Sequence, residues 1–192
     1  MNQTKSSEPQ LWLIVRVSQL GFMVVSRGTQ WVRMVPAPEG RQTMAHTFAH
    51  LLTHVIFSTK DRQPLLTPDL RTDLLAYMGG IVCNIHGKLI DSNARPDHVH
   101  CLLSLPPALA VAEALRVIKS NSSLWVHQTA HRAAFAWQAG YGAFSVSQSN
   151  VPAVVKYIRN QEQHHRKISF QEEFITFLKA HRIPYDERYI WE

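Results

Sequence analysis

Residues 95–105 read RPDHVHCLLSL, a turn signal followed by an apolar run that carries two histidines. The tripeptide Arg95-Pro96-Asp97 is typical of a turn, and the run after it is typical of a β-strand. Because successive side chains of a strand point to opposite faces, His98 and His100 share one face and the hydrophobes between and after them share the other. The two imidazoles stand about 7 Å apart along the strand, which allows both to bind one ion. Taken alone, such a pair more often consists of polar residues on a solvated face.

The flanking sequence predicts the rest of a small sheet. Hydrophobic periodicity and turn signals predict a strand at residues 50–60, a helix from residue 67 that Gly87 ends, a strand at 88–93 in a hairpin with the His98 strand, a helix at Val111–Thr129 interrupted or bent at 120–123, and a strand at 137–147. Gly140 and Gly142 indicate a bulge or a close approach by another backbone. The order predicts an α+β fold, namely a ferredoxin-like βαββαβ antiparallel sheet with additional C-terminal helices.

A helix starting near Asn150 is predicted to carry further chemistry. Asn150 is a good N-cap and Pro152 suits the first turn. Tyr157 and Gln161 lie one turn apart on one flank of the apolar stripe, together with His164. Such a tyrosine usually only packs, but this helix must dock, and the open sheet face that bears the histidines is the obvious place.

Composition predicts one globular domain with an N-terminal extension. The chain has 192 residues, 45% hydrophobic, with a net charge of +6 that suits a partner with phosphates. Residues 1–43 contain no histidine and show no clean periodicity. We interpret residues 1–43 as a flexible or non-native extension and residues 44–192 as the functional domain.

Two further features predict a cytoplasmic protein with no membrane partner. Cys83 and Cys101 are solitary, which is typical of reduced thiols. The apolar run at residues 11–25 is interrupted by Arg16 and Gln19, and it is too short to span a bilayer.

The motif set resembles the HUH single-tyrosine transposases of small bacterial insertion sequences and their relatives associated with repetitive extragenic palindromes. The resemblance rests on His98-Val99-His100 after the turn, on Tyr157 with Gln161 four residues later, and on the first strand from His54 to Thr59. It covers roughly residues 44–165 in a consistent order. A His-x-His pair alone is a weak signal, whereas the whole set is specific.

The resemblance implies a metal-dependent transposase that cleaves and rejoins single-stranded DNA. Tyr157 matches the nucleophile, which forms a 5′-phosphotyrosine link and leaves a free 3′-hydroxyl. His98, His100 and Gln161 match the metal ligands, and the ion is expected to be Mg²⁺ or Mn²⁺, bound weakly without DNA. His164 is a candidate contact for a metal ligand or a phosphate, but it is interpreted as a solvated surface histidine.

The remaining residues of interest receive structural interpretations. His54 is interpreted as a strand histidine, and Asp97 as a turn residue that faces away from the histidine pair. No catalytic motif is assigned to residues 168–192.

The expected partner is single-stranded DNA, such as the hairpin ends of a mobile element. Seven basic residues are candidates for DNA contact: Lys60, Arg62, Arg95, Lys119, Arg132, Lys156 and Arg159. Trp125 or Trp137 could stack on unpaired bases. A homodimer is expected, because the core is compact and lacks an obvious extra DNA-binding tail. In the insertion-sequence members the tyrosine helix of one subunit docks on the partner's histidines, and the connector at residues 145–149 permits a site within one chain or between two. The palindrome-associated relatives tend to be monomeric.

Two other functions stay open. The first is a catalytically silent ferredoxin-like nucleic-acid-binding module, in which the histidines are only surface polar groups. The second is a replication or mobilisation nickase with the same chemistry, which the short chain disfavours because such proteins usually carry extra domains.

Overall fold

A computed structural model describes residues 14–16, 22–24 and 48–191 of the chain. The chain divides into two compact units, Met1–Ala45 and His46–Glu192. In the first unit, strand β1 (Ile14–Arg16) pairs antiparallel with strand β2 (Phe22–Val24). Most of the predicted extension lies outside the described residues, and the interpretation of residues 1–43 stays a prediction.

The second unit contains a four-stranded antiparallel sheet in the order β4-β5-β3-β6. Its helices and strands are, in chain order, β3 (Leu51–Ser58), α1 (Pro68–Asn84), β4 (Lys88–Ala94), β5 (His98–Leu105), α2 (Val111–Thr129), β6 (Gly142–Ser145), α3 (Val151–Arg159), α4 (Gln161–His164) and α5 (Phe170–Ala180). The succession βαββαβ and this antiparallel sheet confirm the predicted α+β, ferredoxin-like fold. The predicted hairpin of β4 and β5 is also confirmed.

Helices cover both faces of the sheet. Side chains of α1 and α2 pack with Val55, Phe57 and Val99 in the main core on one face. On the other face, Ile56 and Phe144 pack with α5 in a second, smaller core. Strand β5 therefore lies between two helical layers, and all its residues except Ser104 are buried.

Helix α1 ends in a way that the sequence did not predict. The residue with left-handed backbone is His86, at a φ of 60°, rather than Gly87. The amide of Gly87 donates to the carbonyl of Val82 at 2.9 Å, which closes the last turn. A Cβ on Gly87 would lie 3.1 Å from the carbonyl oxygen of Ser104, so glycine is required there for close packing rather than for its φ.

Helix α2 continues without interruption through residues 120–123, so the predicted interruption is wrong. Ser122 is fully buried in this helix, and its hydroxyl accepts a hydrogen bond from the indole nitrogen of Trp137 at 2.9 Å. The polar run therefore continues the helix because one of its members has a buried partner. None of the helices in the described part of the chain has the length and apolar character that a bilayer crossing requires.

Strand β6 is shorter than predicted, and Trp137 takes part only in an isolated bridge with Thr59. A Cβ on Gly142 would lie 2.7 Å from a ring carbon of Phe174, whereas a Cβ on Gly140 would meet nothing within 4 Å. Of the two glycines, only Gly142 is closely approached by another group, as predicted. That group is a side chain of α5 and not a backbone.

Candidate active site

Strand β5 presents His98 and His100 on the face covered by the C-terminal helices. Their side chains are buried, and their ring centroids lie 5.2 Å apart. The register of the sheet pairs His100 with Ile56 and His98 with Ser58. The prediction that the two histidines share a face is confirmed, but the face is closed by helices rather than solvated.

Neighbouring side chains fix the orientation of both imidazoles. His98 Nδ1 lies 2.7 Å from a carboxylate oxygen of Asp97, and His100 Nδ1 lies 3.1 Å from Nε2 of His54. An imidazole that is hydrogen-bonded through Nδ1 presents Nε2 to a ligand. One interpretation therefore changes: the side chain of Asp97 holds His98 instead of facing away. His54 is a buried strand histidine with a hydrogen-bond partner, as predicted, and that partner is His100.

Burial favours the neutral form of His98 and His54. Desolvation lowers the pKa of His98 to about 4, although the hydrogen bond with Asp97 opposes the shift. Burial, and then the neighbouring His100, lower the pKa of His54 to about 3. Neutral imidazoles are the form that binds metal ions.

Helix α3 brings Tyr157 to the histidines of its own chain. The ring centroid of Tyr157 lies 6.0 Å from that of His100. The helix is anchored at its C-terminal end, where the side-chain amide of Asn93 on β4 donates to the carbonyl of Ile158 at 2.8 Å. Ile158 is itself fully buried. The tyrosine therefore reaches this face without a second subunit.

Glu173 is a central residue of this site, and sequence reasoning missed it. It lies on α5 and is 1% exposed. Its Oε1 accepts hydrogen bonds from the hydroxyl of Tyr157 and, at 3.0 Å, from the side-chain amide of Gln161. Its Oε2 lies 3.4 Å from His100 Nε2 and 3.2 Å from His165 Nε2.

The sequence of α5 explains why a carboxylate points inward. Ser169 and Glu172 form a capping box, so the helix start is well defined and Glu172 is on the outside. Phe170 and Phe174 pack onto the sheet, and Phe170 stacks on His98 at 4.3 Å. Glu173 lies three residues after Phe170, on the same apolar face. A carboxylate on the apolar face of a helix was the signal that could have identified it.

Gln161, His164 and His165 follow the break between α3 and α4 at Asn160. Gln161 is fully buried, and its amide contacts Glu173, as described above. His164 is 30% exposed, with Nε2 3.3 Å from the hydroxyl of Tyr157, so it is not the fully solvated histidine that was expected. His165, to which the sequence assigned no role, is only 10% exposed.

Glu173 and Tyr157 perturb each other's ionisation. Burial would raise the pKa of Glu173, but its contacts with His100, His165 and Tyr157 outweigh burial and lower that pKa below its ordinary value. Burial, and then the neighbouring carboxylate, raise the pKa of Tyr157 above its ordinary value. The site therefore holds a carboxylate beside a protonated phenol.

Four donor atoms of the site converge closely enough to hold a metal ion. The donor atoms of His98, His100, His165 and Glu173 all lie within 4.8 Å of one another. The Nε2 atoms of the three histidines and Oε2 of Glu173 are buried and have no hydrogen-bond partner in the described part of the chain. Ligands of one ion lie about 3–4 Å apart when bond lengths are about 2.0–2.2 Å. The residues present therefore fit a divalent ion.

A basic hollow lies beside the tyrosine. It has a volume of about 430 Å³ and is lined by Lys156, Tyr157, Asn160, His164, Lys167 and two further residues of α3 and α4. Lys156 is one of the basic residues predicted to contact DNA, whereas Lys167 was not predicted. The hollow therefore places two lysines beside Tyr157.

Other predicted DNA contacts are engaged within the chain. Lys119 donates to the backbone carbonyls of residues 138–140, and Arg132 donates to the hydroxyl of Thr67. Arg159 donates to Asp91 on β4 at 2.8 Å. These three contacts connect elements of the fold, and a role of the same residues in DNA binding stays a prediction.

The other four cations differ in exposure. Lys60 and Lys156 are exposed, and the guanidinium of Arg62 lies over the ring of Trp191. Arg95 has a buried Nε without a partner in the described part of the chain. Their contact with DNA also stays a prediction.

The two tryptophans proposed as stacking surfaces lie on different parts of the fold. Trp137 packs in the core between Phe57 and Phe135. Trp125 stacks on the half-exposed Tyr77.

Two known proteins with similar sequences are both transposases. The chain is 23% identical over 126 residues to the transposase for insertion sequence element IS200 of Salmonella typhimurium, covering 62% of this chain and 82% of that protein. It is 25% identical over 121 residues to the ISDra2 transposase TnpA of Deinococcus radiodurans, covering 56% and 81%.

Two solved structures are similar in fold. One is a transposase from Deinococcus radiodurans, at 23% identity and a TM-score of 0.49, covering 60% of this chain and 94% of that one. The other is a REP-associated tyrosine transposase bound to a REP hairpin, at 16% identity and a TM-score of 0.47, covering 62% and 73%.

Residues 47–161 match the family described as "Transposase IS200 like". The matched segment is more than half of the chain, and it contains His98, His100, Tyr157 and Gln161. The chain therefore belongs to the IS200-like family of DNA transposases.

Proposed function

We propose that the chain is a metal-dependent transposase that cuts and rejoins single-stranded DNA through Tyr157. The observation that carries this proposal is the convergence, in one chain, of a phenol with two buried imidazoles whose Nε2 atoms have no hydrogen-bond partner in the described residues. Family membership supports the DNA transposase; the arrangement of these side chains supports the use of a tyrosine and a metal ion.

The proposed reaction is a transesterification. The phenolic oxygen of Tyr157 attacks the phosphorus of a phosphodiester, the bond from phosphorus to the 3′ oxygen breaks, and the 3′ oxygen takes up a proton. The products are a 5′-phosphotyrosine link and a free 3′-hydroxyl, and attack by such a hydroxyl on the link rejoins the DNA. No co-reactant is consumed.

Neighbouring side chains influence whether the hydroxyl of Tyr157 can lose its proton. His164 Nε2, at 3.3 Å from the hydroxyl, can accept its proton, because burial lowers the pKa of His164 and keeps the imidazole neutral at pH 7. The carboxylate of Glu173 opposes phenolate formation by its charge. His98 and His100 would hold a divalent ion, whose positive charge would polarise the scissile phosphate and offset this carboxylate.

The hollow beside Tyr157 supports an extended nucleic acid as the substrate. Lys156 and Lys167 line it together with the phenol. Lysines at such a position attract phosphates and hold the strand in register with the nucleophile. We include in the proposal the hairpin ends of a mobile element as the DNA, the cytoplasm as the compartment, and residues 44–192 as the functional domain.

Covalent capture tests the proposal. Labelled single-stranded hairpins with randomised flanks are incubated with the full chain and Mn²⁺, and adducts that survive denaturant are quantified on a gel. Tyr157→Phe should reduce the adduct by more than 100-fold while hairpin binding persists. Tyr189→Phe, which alters an exposed tyrosine, is the control and should form adduct like the unmodified chain.

Two outcomes contradict the proposal. Undiminished adduct in the Tyr157→Phe chain would assign the nucleophile to another residue. Tight hairpin binding by the unmodified chain, with no adduct in Mn²⁺ or Mg²⁺, would instead support a catalytically silent binding module.

A further inference from the structure

We propose that His165 and Glu173 are metal ligands, so that this chain holds one divalent transition-metal ion with His98, His100, His165 and Glu173. The inference deepens the proposed function and rests on it for what the ion is used for. Neither His165 nor Glu173 lies in the segment that matches the family, which ends at residue 161. Both follow the tyrosine helix: His165 lies on the turn before α5, and Glu173 lies on α5.

The first argument is the state of the donor atoms. The side chains of His98, His100 and Glu173 are at most 2% exposed, and that of His165 is 10% exposed. Their facing atoms, Nε2 in each histidine and Oε2 in Glu173, have no hydrogen-bond partner in the described part of the chain, although Glu173 Oε2 lies 3.2 Å from His165 Nε2 and 3.4 Å from His100 Nε2. Buried polar groups are nearly always satisfied, so four such atoms within 4.8 Å of one another indicate a shared partner.

The second argument is charge. With its imidazoles deprotonated, as metal ligation requires, the donor set carries a single negative charge, which a divalent cation more than neutralises. Imidazole nitrogens favour Mn²⁺, Co²⁺ or Zn²⁺ over Mg²⁺. A pocket with four protein donors also binds its ion without DNA, which replaces the expectation of weak binding in the absence of substrate.

The third argument is that the two carboxylate oxygens of Glu173 contact different groups. Its Oε2 lies near His100 and His165, whereas its Oε1 accepts from Tyr157 and from the amide of Gln161. One side chain therefore connects the ion-binding atoms with the proposed nucleophile. In this arrangement the amide nitrogen of Gln161 orients Glu173, while Oε1 of Gln161 is buried without a hydrogen-bond partner in the described part of the chain, like the four donor atoms.

A rival account of Glu173 uses the same contacts. The carboxylate could occupy the position of a DNA phosphate and act only as an internal anion that blocks the site. The two accounts differ in the effect of removing its charge: a ligand is lost in the first, and an obstacle is lost in the second.

Metal titration of the full chain without DNA tests the inference. The chain is freed of metal with a chelator, and Mn²⁺ binding is followed by electron paramagnetic resonance and by calorimetry. The unmodified chain should bind one ion, and Glu173→Gln should weaken binding by about 10–100-fold or more. Glu187→Gln, which alters an exposed carboxylate in the same C-terminal segment, should bind like the unmodified chain.

A second set of variants keeps the test decisive. His165→Gln should also weaken Mn²⁺ binding at least 10-fold, and it serves as the main variant if circular dichroism shows that Glu173→Gln does not fold. Glu173→Asp, which retains the charge, should recover part of the affinity. X-ray absorption of the Zn²⁺-loaded chain should show three imidazoles in the unmodified chain and two in His165→Gln.

The inference is overturned if Glu173→Gln binds Mn²⁺ as tightly as the unmodified chain, or if its adduct formation rises while metal affinity stays unchanged. Because the Mn²⁺ titration contains no DNA, its result is independent of the adduct assay. Mn²⁺ binding that depends on Glu173, combined with adducts that survive Tyr157→Phe, would retain the metal site and reject the proposed nucleophile.

Discussion

At the scale of single residues, the site depends on histidines that are buried in the neutral form. Asp97 and His54 hold His98 and His100 through Nδ1, and the pKa values of His98 and His54 fall to about 4 and about 3. Such values couple the free energy of unfolding to pH, because each histidine binds its proton more readily in the unfolded chain.

The metal-free chain should therefore lose stability in mild acid. With an unfolded-state pKa of about 6.5, the stability that each histidine contributes is full above that value and is lost as the pH falls toward the folded-state pKa. Between pH 7 and pH 5 the loss should be about 2 kcal/mol for each of His54 and His98. The raised pKa of His165 acts in the opposite direction. Urea denaturation in the presence of a chelator at the two pH values measures the difference.

His54→Gln isolates one contribution to this pH dependence. Glutamine can keep a hydrogen bond with His100 but does not titrate, so the stability difference between pH 7 and pH 5 should shrink by about 2 kcal/mol. The exposed His50 provides the matched control, and His50→Gln should leave the difference unchanged. An equal pH dependence in both variants would show that the buried histidines are not its source.

Sequence reasoning found some residues of the site and missed others for a physical reason. His98 and His100 could be placed on one face because a strand has a period of two, and Tyr157 and Gln161 because a helix has a period near four. Glu173 belongs to a helix whose first turn contains two adjacent acids, and a solvated acid is the usual interpretation there. Only the phenylalanines around it distinguish the buried acid from the exposed one.

At the scale of secondary-structure elements, α5 is the element on which the closed site depends. Its Phe174 ring occupies the space above Gly142 of β6, and its Glu173 lies among the histidines. Additional C-terminal helices were predicted, but α5 was given no bounds and no role, because no catalytic motif was assigned to residues 168–192. The sheet strands were predicted more closely, since their apolar runs end at clear turn signals.

Gly142→Ala should push α5 away from the sheet. The added methyl would lie 2.7 Å from Phe174 and 2.9 Å from Phe144, so the rings must shift, at a cost of about 1–3 kcal/mol in the free energy of unfolding. Gly140→Ala is the matched control, because its methyl would meet nothing within 4 Å. Urea denaturation of both variants gives the comparison, and equal stability would show that α5 tolerates displacement.

At the scale of the whole molecule, the question is whether one chain or two complete a site. A homodimer was expected, with the tyrosine helix of each chain docked on its partner. In the structure, α3 is anchored to β4 of its own chain through Asn93 and Arg159. The geometry therefore favours a site completed within one chain.

Mixing two inactive variants distinguishes these arrangements. Tyr157→Phe and His100→Ala each remove one half of the proposed site. When the two are mixed and allowed to exchange subunits, a site within one chain should yield no covalent adduct. A site shared between subunits should recover about a quarter to a half of the activity, as expected from random pairing. The hairpin adduct assay measures either outcome.

The position of α5 also affects how relatives of this chain should be recognised. The family match ends at residue 161, whereas the carboxylate that contacts Tyr157 comes twelve residues later, on a helix held by aromatic packing. Two chains can therefore share every residue of the tyrosine and histidine motifs and still differ in whether a final helix closes over them. Sorting family members by an acid on the apolar face of a C-terminal helix would divide them by a property that the motifs do not record.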